Sequence, residues 1–73
     1  MRSVHTSEYK AFLRRFKQAR LEAGLTQAQV AAALRMPQSR VSRCESGERR
    51  VDVIELRAFV RLYGLTVADL LPK

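Results

Sequence analysis

Four polar side chains fall on one stripe of a predicted helix, at positions i, i+1, i+4 and i+5. They are Gln38, Ser39, Ser42 and Arg43. The stripe carries amide, hydroxyl and guanidinium groups and no carboxylate, whereas an ordinary solvated helix face carries Glu and Lys. Amide and guanidinium groups can each form paired hydrogen bonds with the edge of a DNA base. The spacing therefore predicts a base-contacting surface, and the alternative is a merely solvated face.

A second set of residues could bind phosphate oxygens. Gln27 lies in the first turn of the preceding predicted helix, where backbone amides and the helix dipole favour an anion. The alternative for Gln27 is a capping role without a ligand. Arg49 and Arg50 follow Gly47 in a predicted loop, where they could track a nucleic-acid backbone by charge or only add solubility. Arg40 lies beside the stripe and could contact a phosphate or nothing.

Composition narrows the class of protein. The 73 residues include 14 Lys and Arg against 7 Asp and Glu, so the net charge is +7 and favours a polyanionic partner, either nucleic acid or an anionic membrane. With 47% hydrophobic residues the chain can form one small folded domain, here residues 1–73 with 1–6 frayed. Cys44 is the only cysteine and His5 the only histidine, which excludes a disulfide framework and a cysteine-based zinc site.

The same features argue against catalysis and membrane insertion. The three glycines are isolated, so no phosphate-cradling loop is present, and no set of side chains has the spacing of a catalytic site. Apolar runs reach only about four residues, far below the roughly 20 of a membrane span. No secretory signal pattern precedes the first charged segment. We expect a cytoplasmic binding module that is not an enzyme and uses no metal or cofactor.

Hydrophobic spacing and capping signals predict five helices and no sheet. From Tyr9 the apolar residues recur at i, i+3, i+4 and i+7, and Gly24 suits the left-handed residue after a helix end. Thr26 and Asp52 each precede a Gln or Glu by three residues, which is capping-box spacing. Pro37 separates the second helix from the third. The predicted helices lie between residues 6 and 24, 26 and 34, 38 and 46, 52 and 63, and 66 and 72.

The apolar faces of these helices predict the core, with Cys44 as a buried small hydrophobe rather than a redox switch. Its members are Tyr9, Phe12, Leu13, Phe16, Val30, Ala31, Leu34, Val41, Cys44, Leu56, Phe59, Val60 and Tyr63. Four further apolar residues either complete the core or form a two-fold interface between subunits. They are Leu65, Val67, Leu70 and Leu71. The first helix is also basic, a pattern found on membrane-surface helices, but its apolar stripe is needed for the core.

The central segment is similar to a known family. Thr26-Gln27-x-x-Val30-Ala31, followed by Gln38-Ser39-Arg40-Val41-Ser42-Arg43-x-Glu45-x-Gly47, resembles the phage repressor/Cro-type helix-turn-helix family, also called the XRE family. The resemblance extends from about Phe12 to Leu71 and implies an all-α, five-helix DNA-binding fold with the helix-turn-helix at helices 2 and 3. It also implies a phosphate contact from Gln27 and a structural ion pair between Arg20 and Glu45.

One residue departs from the family pattern. The family has Gly in the turn between the two helices, where the backbone adopts positive φ, and this chain has Arg35. An arginine in that conformation costs on the order of 1 kcal/mol, unless Met36 and Pro37 let the turn take another path. The geometry of this turn is therefore open at the level of the sequence.

The residues and the resemblance together predict a sequence-specific regulator of transcription, acting as a repressor-like homodimer on a two-fold symmetric DNA operator. Its third helix would enter the major groove, with Gln38 on adenine and Arg43 on guanine. A phosphate clamp is the rival role for Arg43. The alternative function is an antitoxin-like or adaptor protein whose main partner is another protein. A restriction–modification controller is a variant of the first, and RNA binding is disfavoured because the aromatic residues fall on core positions.

Overall fold

The structure, a computed structural model of the chain, describes residues 6–72. Its elements are α1 (Ser7–Glu22), α2 (Gln27–Leu34), α3 (Gln38–Ser46), α4 (Val53–Leu62) and a 3-10 helix (Val67–Leu70). No strand occurs in this range, so the predicted all-α class is confirmed. The predictions for Met1 to His5 lie outside the described residues.

The fifth predicted α-helix is wrong, because the final element is a short 3-10 helix. The backbone amides of Asp69 and Leu71 donate to the carbonyls three residues earlier, at Thr66 and Ala68. Four residues are too few to establish the i to i−4 ladder of an α-helix, and Pro72 has no amide to extend it. The Asp69 carboxylate accepts the Thr66 amide at 2.8 Å, and this hydrogen bond lowers the pKa of Asp69.

Two predicted capping boxes are confirmed, and they determine where α2 and α4 begin. The Thr26 hydroxyl accepts from the Gln29 amide at 3.1 Å, and the Gln29 side chain accepts from the Thr26 amide at 2.9 Å. Asp52 and Glu55 exchange the same two hydrogen bonds at the start of α4. Thr6, placed in the segment predicted to fray, caps α1 by accepting from the amide of Tyr9. At the starts of α1, α2 and α4, polar side chains thus accept hydrogen bonds from backbone amides that have no partner within the helix.

The core lies where α1, α2, α3 and α4 meet. Phe16 of α1 and Phe59 of α4 are both fully buried and pack edge to face, with 4.9 Å between ring centroids. The remaining buried hydrophobic residues are Phe12, Ala19, Val30, Ala31, Val41, Cys44, Leu56, Val60, Tyr63 and Leu70. Tyr9, Leu13, Leu34, Leu65 and Val67 are half-buried against them. The predicted core is therefore confirmed. In the group for which core and interface were left open, Leu70 is buried and Leu71 is 49% exposed.

The turn between α2 and α3 keeps a left-handed residue although that residue is an arginine. Arg35 has φ 56° and ψ 49°, and every other described residue with positive φ is a glycine. The amide of Met36 donates to the Ala31 carbonyl at 3.0 Å, which closes the end of α2. Pro37 then begins α3 as its N-cap residue. Met36 and Pro37 therefore do not reroute the turn, and Arg35 carries the strain, about 1–2 kcal/mol.

Candidate nucleic-acid interface

The third helix is anchored along its inner side. Val41 and Cys44 are fully buried, and Glu45 is only 8% exposed. After α3 ends, Gly47 adopts φ 85°, and a Cβ atom there would lie 2.7 Å from Leu13 Cδ1 of α1. The Leu13 side chain could shift to admit a Cβ atom, but the left-handed backbone at this position favours glycine in any case.

The opposite side of α3 faces solvent. The four residues of the predicted stripe, Gln38, Ser39, Ser42 and Arg43, are all exposed. Within residues 6–72 none of their side chains forms a hydrogen bond to the backbone or to another side chain, and none joins an ion pair. The structure thus brings the four together on one face, which we call the α3 outer face. Their donors and acceptors are available to a ligand.

A buried ion pair connects the end of α1 to α3. Arg20 Nε lies 2.6 Å from Glu45 Oε2 and Arg20 Nη2 lies 3.1 Å from Glu45 Oε1, with the two side chains 8% and 4% exposed. Arg20 Nη1 also donates to the Leu25 carbonyl at 2.9 Å. Hydrogen bonding to Glu45 raises the pKa of Arg20, so the guanidinium stays charged despite its burial. The forked geometry restrains α3 against the end of α1.

Gln27 is held by the same carboxylate. Its Nε2 donates to Glu45 Oε1 at 3.0 Å, and the residue is half-buried. Gln29 forms the capping box of α2, so the capping alternative does not describe Gln27. A glutamine amide carries two N–H donors, and one is used here. The second N–H of the Gln27 amide is the donor that a hydrogen bond to a phosphate oxygen would use. The sequence carried no periodic signal for the Gln27–Glu45 contact, which joins residues 18 positions apart.

The arginines after α3 lie against their own protein. Arg49 Nη1 donates to Glu55 Oε1 at 2.6 Å and lies 3.8 Å from the Cys44 sulfur. The hydrogen bond to Glu55 raises the pKa of Arg49. The Arg50 guanidinium carbon lies 4.6 Å from the centroid of the Tyr9 ring, in cation–π geometry. The spacing of these residues gave no indication of either contact, because neither contact joins two residues on the same helix face.

The remaining candidates are simpler. Arg40 is exposed on α3, its backbone amide donates to the Pro37 carbonyl at 3.0 Å, and its side chain forms no ion pair within residues 6–72. Cys44 is fully buried as predicted, and burial raises the pKa of its thiol, which therefore stays protonated at neutral pH. Tyr63 buries its hydroxyl without a partner in the described part of the chain, and burial raises its pKa as well.

Within residues 6–72, no group of three or more His, Cys, Asp or Glu side chains is arranged to hold a metal ion. No helix in that range is long and apolar enough to cross a membrane.

Two short helices joined by a tight turn, the second anchored inside and open outside, define a helix-turn-helix protein. A family model described as a helix-turn-helix domain matches residues 11–71. A solved structure, an XRE-family like protein from Pseudomonas syringae pv. tomato str. DC3000, is 44% identical, with 93% of this chain and 85% of that chain covered and a TM-score of 0.81. No curated protein matches the chain. The chain belongs to the XRE family of helix-turn-helix proteins and is a DNA-binding regulator.

Proposed function

We propose that this protein binds specific double-stranded DNA sequences as a homodimer and represses transcription from a two-fold symmetric operator. The observation that carries the proposal is the α3 outer face, four exposed polar side chains with no hydrogen-bond or ion-pair partner among residues 6–72. The inner side of the same helix is fixed by the core and by Glu45. Hydrogen-bonding groups held rigidly on an exposed helix can enter the major groove without first giving up internal contacts.

Within this proposal Gln38 and Arg43 discriminate between bases. Gln38 is the first residue of α3, the end that approaches base edges in this motif, and its amide can bond N6 and N7 of one adenine. Arg43 lies five residues further along the same face, and its planar guanidinium matches O6 and N7 of guanine. Ser39 and Ser42 have short hydroxyl side chains and make general contacts.

Phosphate contacts come from the edges of the same surface. Gln27 offers its second amide N–H at the start of α2, and Arg40 offers an exposed guanidinium that joins no ion pair within the described part of the chain. Arg49 and Arg50 contribute as well, because a guanidinium has five N–H donors and can bind Glu55 or cover Tyr9 while it also meets a phosphate. Such contacts orient the protein on the duplex and carry no sequence information.

A second copy completes the operator-binding unit. Two recognition helices about 34 Å apart would meet half-sites whose centres are about 10 base pairs apart. Apolar side chains available for a subunit interface support this part of the proposal. They are Leu21, Val53, Ile54 and Leu71, each between 49% and 68% exposed. A domain of this size also gains stability from association.

Selection of bound sites from random duplex DNA tests the proposal directly. We expect enrichment of a palindrome with half-site centres about 10 base pairs apart, and the phosphate contacts named above should contribute a log–log salt slope of roughly −2 to −5. An enriched single half-site would contradict the dimer, and an affinity insensitive to salt would contradict the phosphate contacts. If no duplex is enriched and a second protein co-purifies at fixed stoichiometry, the adaptor alternative replaces the proposed function.

A further inference from the structure

Three exposed cations form a continuous stripe on α1 that the α3 outer face does not include. Lys10, Arg14 and Lys17 are spaced i, i+4 and i+7, so they lie within about 60° of one another around the helix axis. Together with Leu13, Glu45 and Ser46 they line an open depression of about 310 Å³. We call these three residues the α1 basic stripe.

The charge of the α1 basic stripe is not neutralised by the residues around it. No ion pair joins its members to a carboxylate within residues 6–72. The two acidic residues of α1, Glu8 and Glu22, point about 110° or more away from the centre of the stripe. Glu45 lines the depression, but both of its oxygens are bonded to Arg20. The stripe therefore presents three positive charges to solvent.

The position of the stripe relates it to α3. Ser46, the last residue of α3, lines the same depression, whereas Gln38 begins the helix about 12 Å away along its axis. When the Gln38 end of α3 approaches base edges, the stripe lies beside the other end, toward the sugar–phosphate backbone that borders the groove. Arg20 of α1 is hydrogen-bonded to Glu45 near the end of α3, and this contact fixes the position of the stripe relative to α3.

From this arrangement we infer that the α1 basic stripe is a second phosphate-binding surface for the same DNA duplex. It contacts phosphates flanking the base pairs that α3 contacts and enlarges the sequence-independent part of the affinity. The inference rests on the proposed function for the orientation of α3. Its chemistry is that of a phosphodiester backbone, with three cations following a regular row of negative charges and no base discrimination.

A triple variant, Lys10→Gln, Arg14→Gln and Lys17→Gln, tests the inference. We expect it to bind both the selected operator and a scrambled duplex of equal length about tenfold more weakly, with a salt slope shallower by roughly two to three for each bound subunit. The ratio between the two duplexes should stay unchanged, because phosphate contacts are blind to sequence. That ratio in the unaltered protein tests the proposed function, and the slope difference tests the stripe, so either can fail alone.

A matched control removes the same charge elsewhere. Arg15, Arg57 and Arg61 are exposed and lie outside the stripe, so Arg15→Gln, Arg57→Gln and Arg61→Gln combined lower the net charge by three as well. We expect this control to change the slope by less than one, and thermal unfolding should show both variants folded. Equal slopes for the two triple variants would overturn the inference. It would also be overturned if the stripe variant lost binding only to vesicles of phosphatidylglycerol and phosphatidylcholine while its duplex affinity was unchanged.

Discussion

The two sides of α3 contain polar residues of similar chemistry in opposite circumstances. On the inner side, Glu45 is buried and accepts hydrogen bonds from Arg20 and Gln27. On the outer face, Gln38 and Arg43 are exposed and have no internal partner among residues 6–72. A buried charge is tolerated only with its full set of partners, whereas an exposed amide or guanidinium satisfies itself with water.

Within the nine residues of α3, this difference separates the residues that position the helix from those proposed to contact DNA. The inner side sets where α3 lies relative to α1 and α2, and the outer face is left available for a ligand. Substitutions on the inner side should therefore reduce folding and DNA binding together. Substitutions on the outer face should reduce binding while leaving folding intact. Four measurements, ordered by expected effect, test whether the two sides are this distinct.

The largest effect should follow removal of one member of the buried ion pair. Glu45→Ala leaves the Arg20 guanidinium buried at 8% side-chain exposure without its partner. We expect a loss of around 3 kcal/mol or more in the free energy of unfolding, measured by urea denaturation. A double-mutant cycle with Arg20→Ala provides the control, because the second substitution should add little once the first has been made. Strictly additive losses would mean that the two residues do not stabilise each other.

Arg43→Ala should weaken DNA binding while leaving the stability of the fold nearly unchanged. Its side chain is exposed and forms no hydrogen bond or ion pair within residues 6–72, so the free energy of unfolding should change little. We expect the free energy of DNA binding to fall by roughly 1–3 kcal/mol, with relaxed preference at one base pair in each half-site. Affinities against a panel of single-base operator variants measure this. A loss that is equal across the panel would assign Arg43 to a phosphate instead of a base.

The sequence predicted the two sides of α3 to different degrees. Exposure of the outer face follows from helical periodicity, because burying Val41 and Cys44 turns Gln38 and Arg43 outward. The Arg20–Glu45 pairing came from the family resemblance, because no local pattern relates residues 25 positions apart. The contacts of Gln27 with Glu45 and of Arg49 with Glu55 were not predicted, since both depend on how loops and helices dock in three dimensions.

In the overall fold as well, local features could be predicted from the sequence and features without a local signal could not. Capping boxes and apolar spacing are local, so the positions of α1 to α4 and most of the core could be predicted from the sequence. The last segment has only four residues between Thr66 and Leu71, and there a 3-10 helix forms because i to i−3 bonds close within that length. The backbone conformation at Arg35 could not be predicted either, because the sequence allowed either a strained arginine or a different turn.

An intermediate effect is expected at Arg35, the residue whose conformation sets the angle between α2 and α3. Arg35→Gly relieves the left-handed strain at φ 56°, and the greater freedom of glycine in the unfolded chain offsets part of the gain. We expect a net stabilisation of roughly 0.5–1 kcal/mol, measured as a higher midpoint in urea. Arg35→Ala is the matched control, since it removes the side chain without relieving the strain. If both variants lose stability equally, the arginine side chain contributes more than its backbone costs.

The smallest effect on folding should come from Arg49, which lies between the two sides of α3. Its guanidinium contacts Cys44 and Glu55, but the side chain is 39% exposed, so the pair is largely solvated. Arg49→Ala should therefore shift the thermal midpoint only slightly. It should also weaken binding to all duplexes about equally and make the salt slope shallower by about 1, because a phosphate contact carries no sequence information.

Glu55→Gln sharpens the test of Arg49, since it keeps an oxygen for the Asp52 amide while removing the charge that competes with phosphate for Arg49. We expect this second variant to bind every duplex somewhat more tightly than the unaltered protein. If Arg49→Ala leaves duplex affinity unchanged and Glu55→Gln does as well, Arg49 belongs with the positioning residues of the inner side.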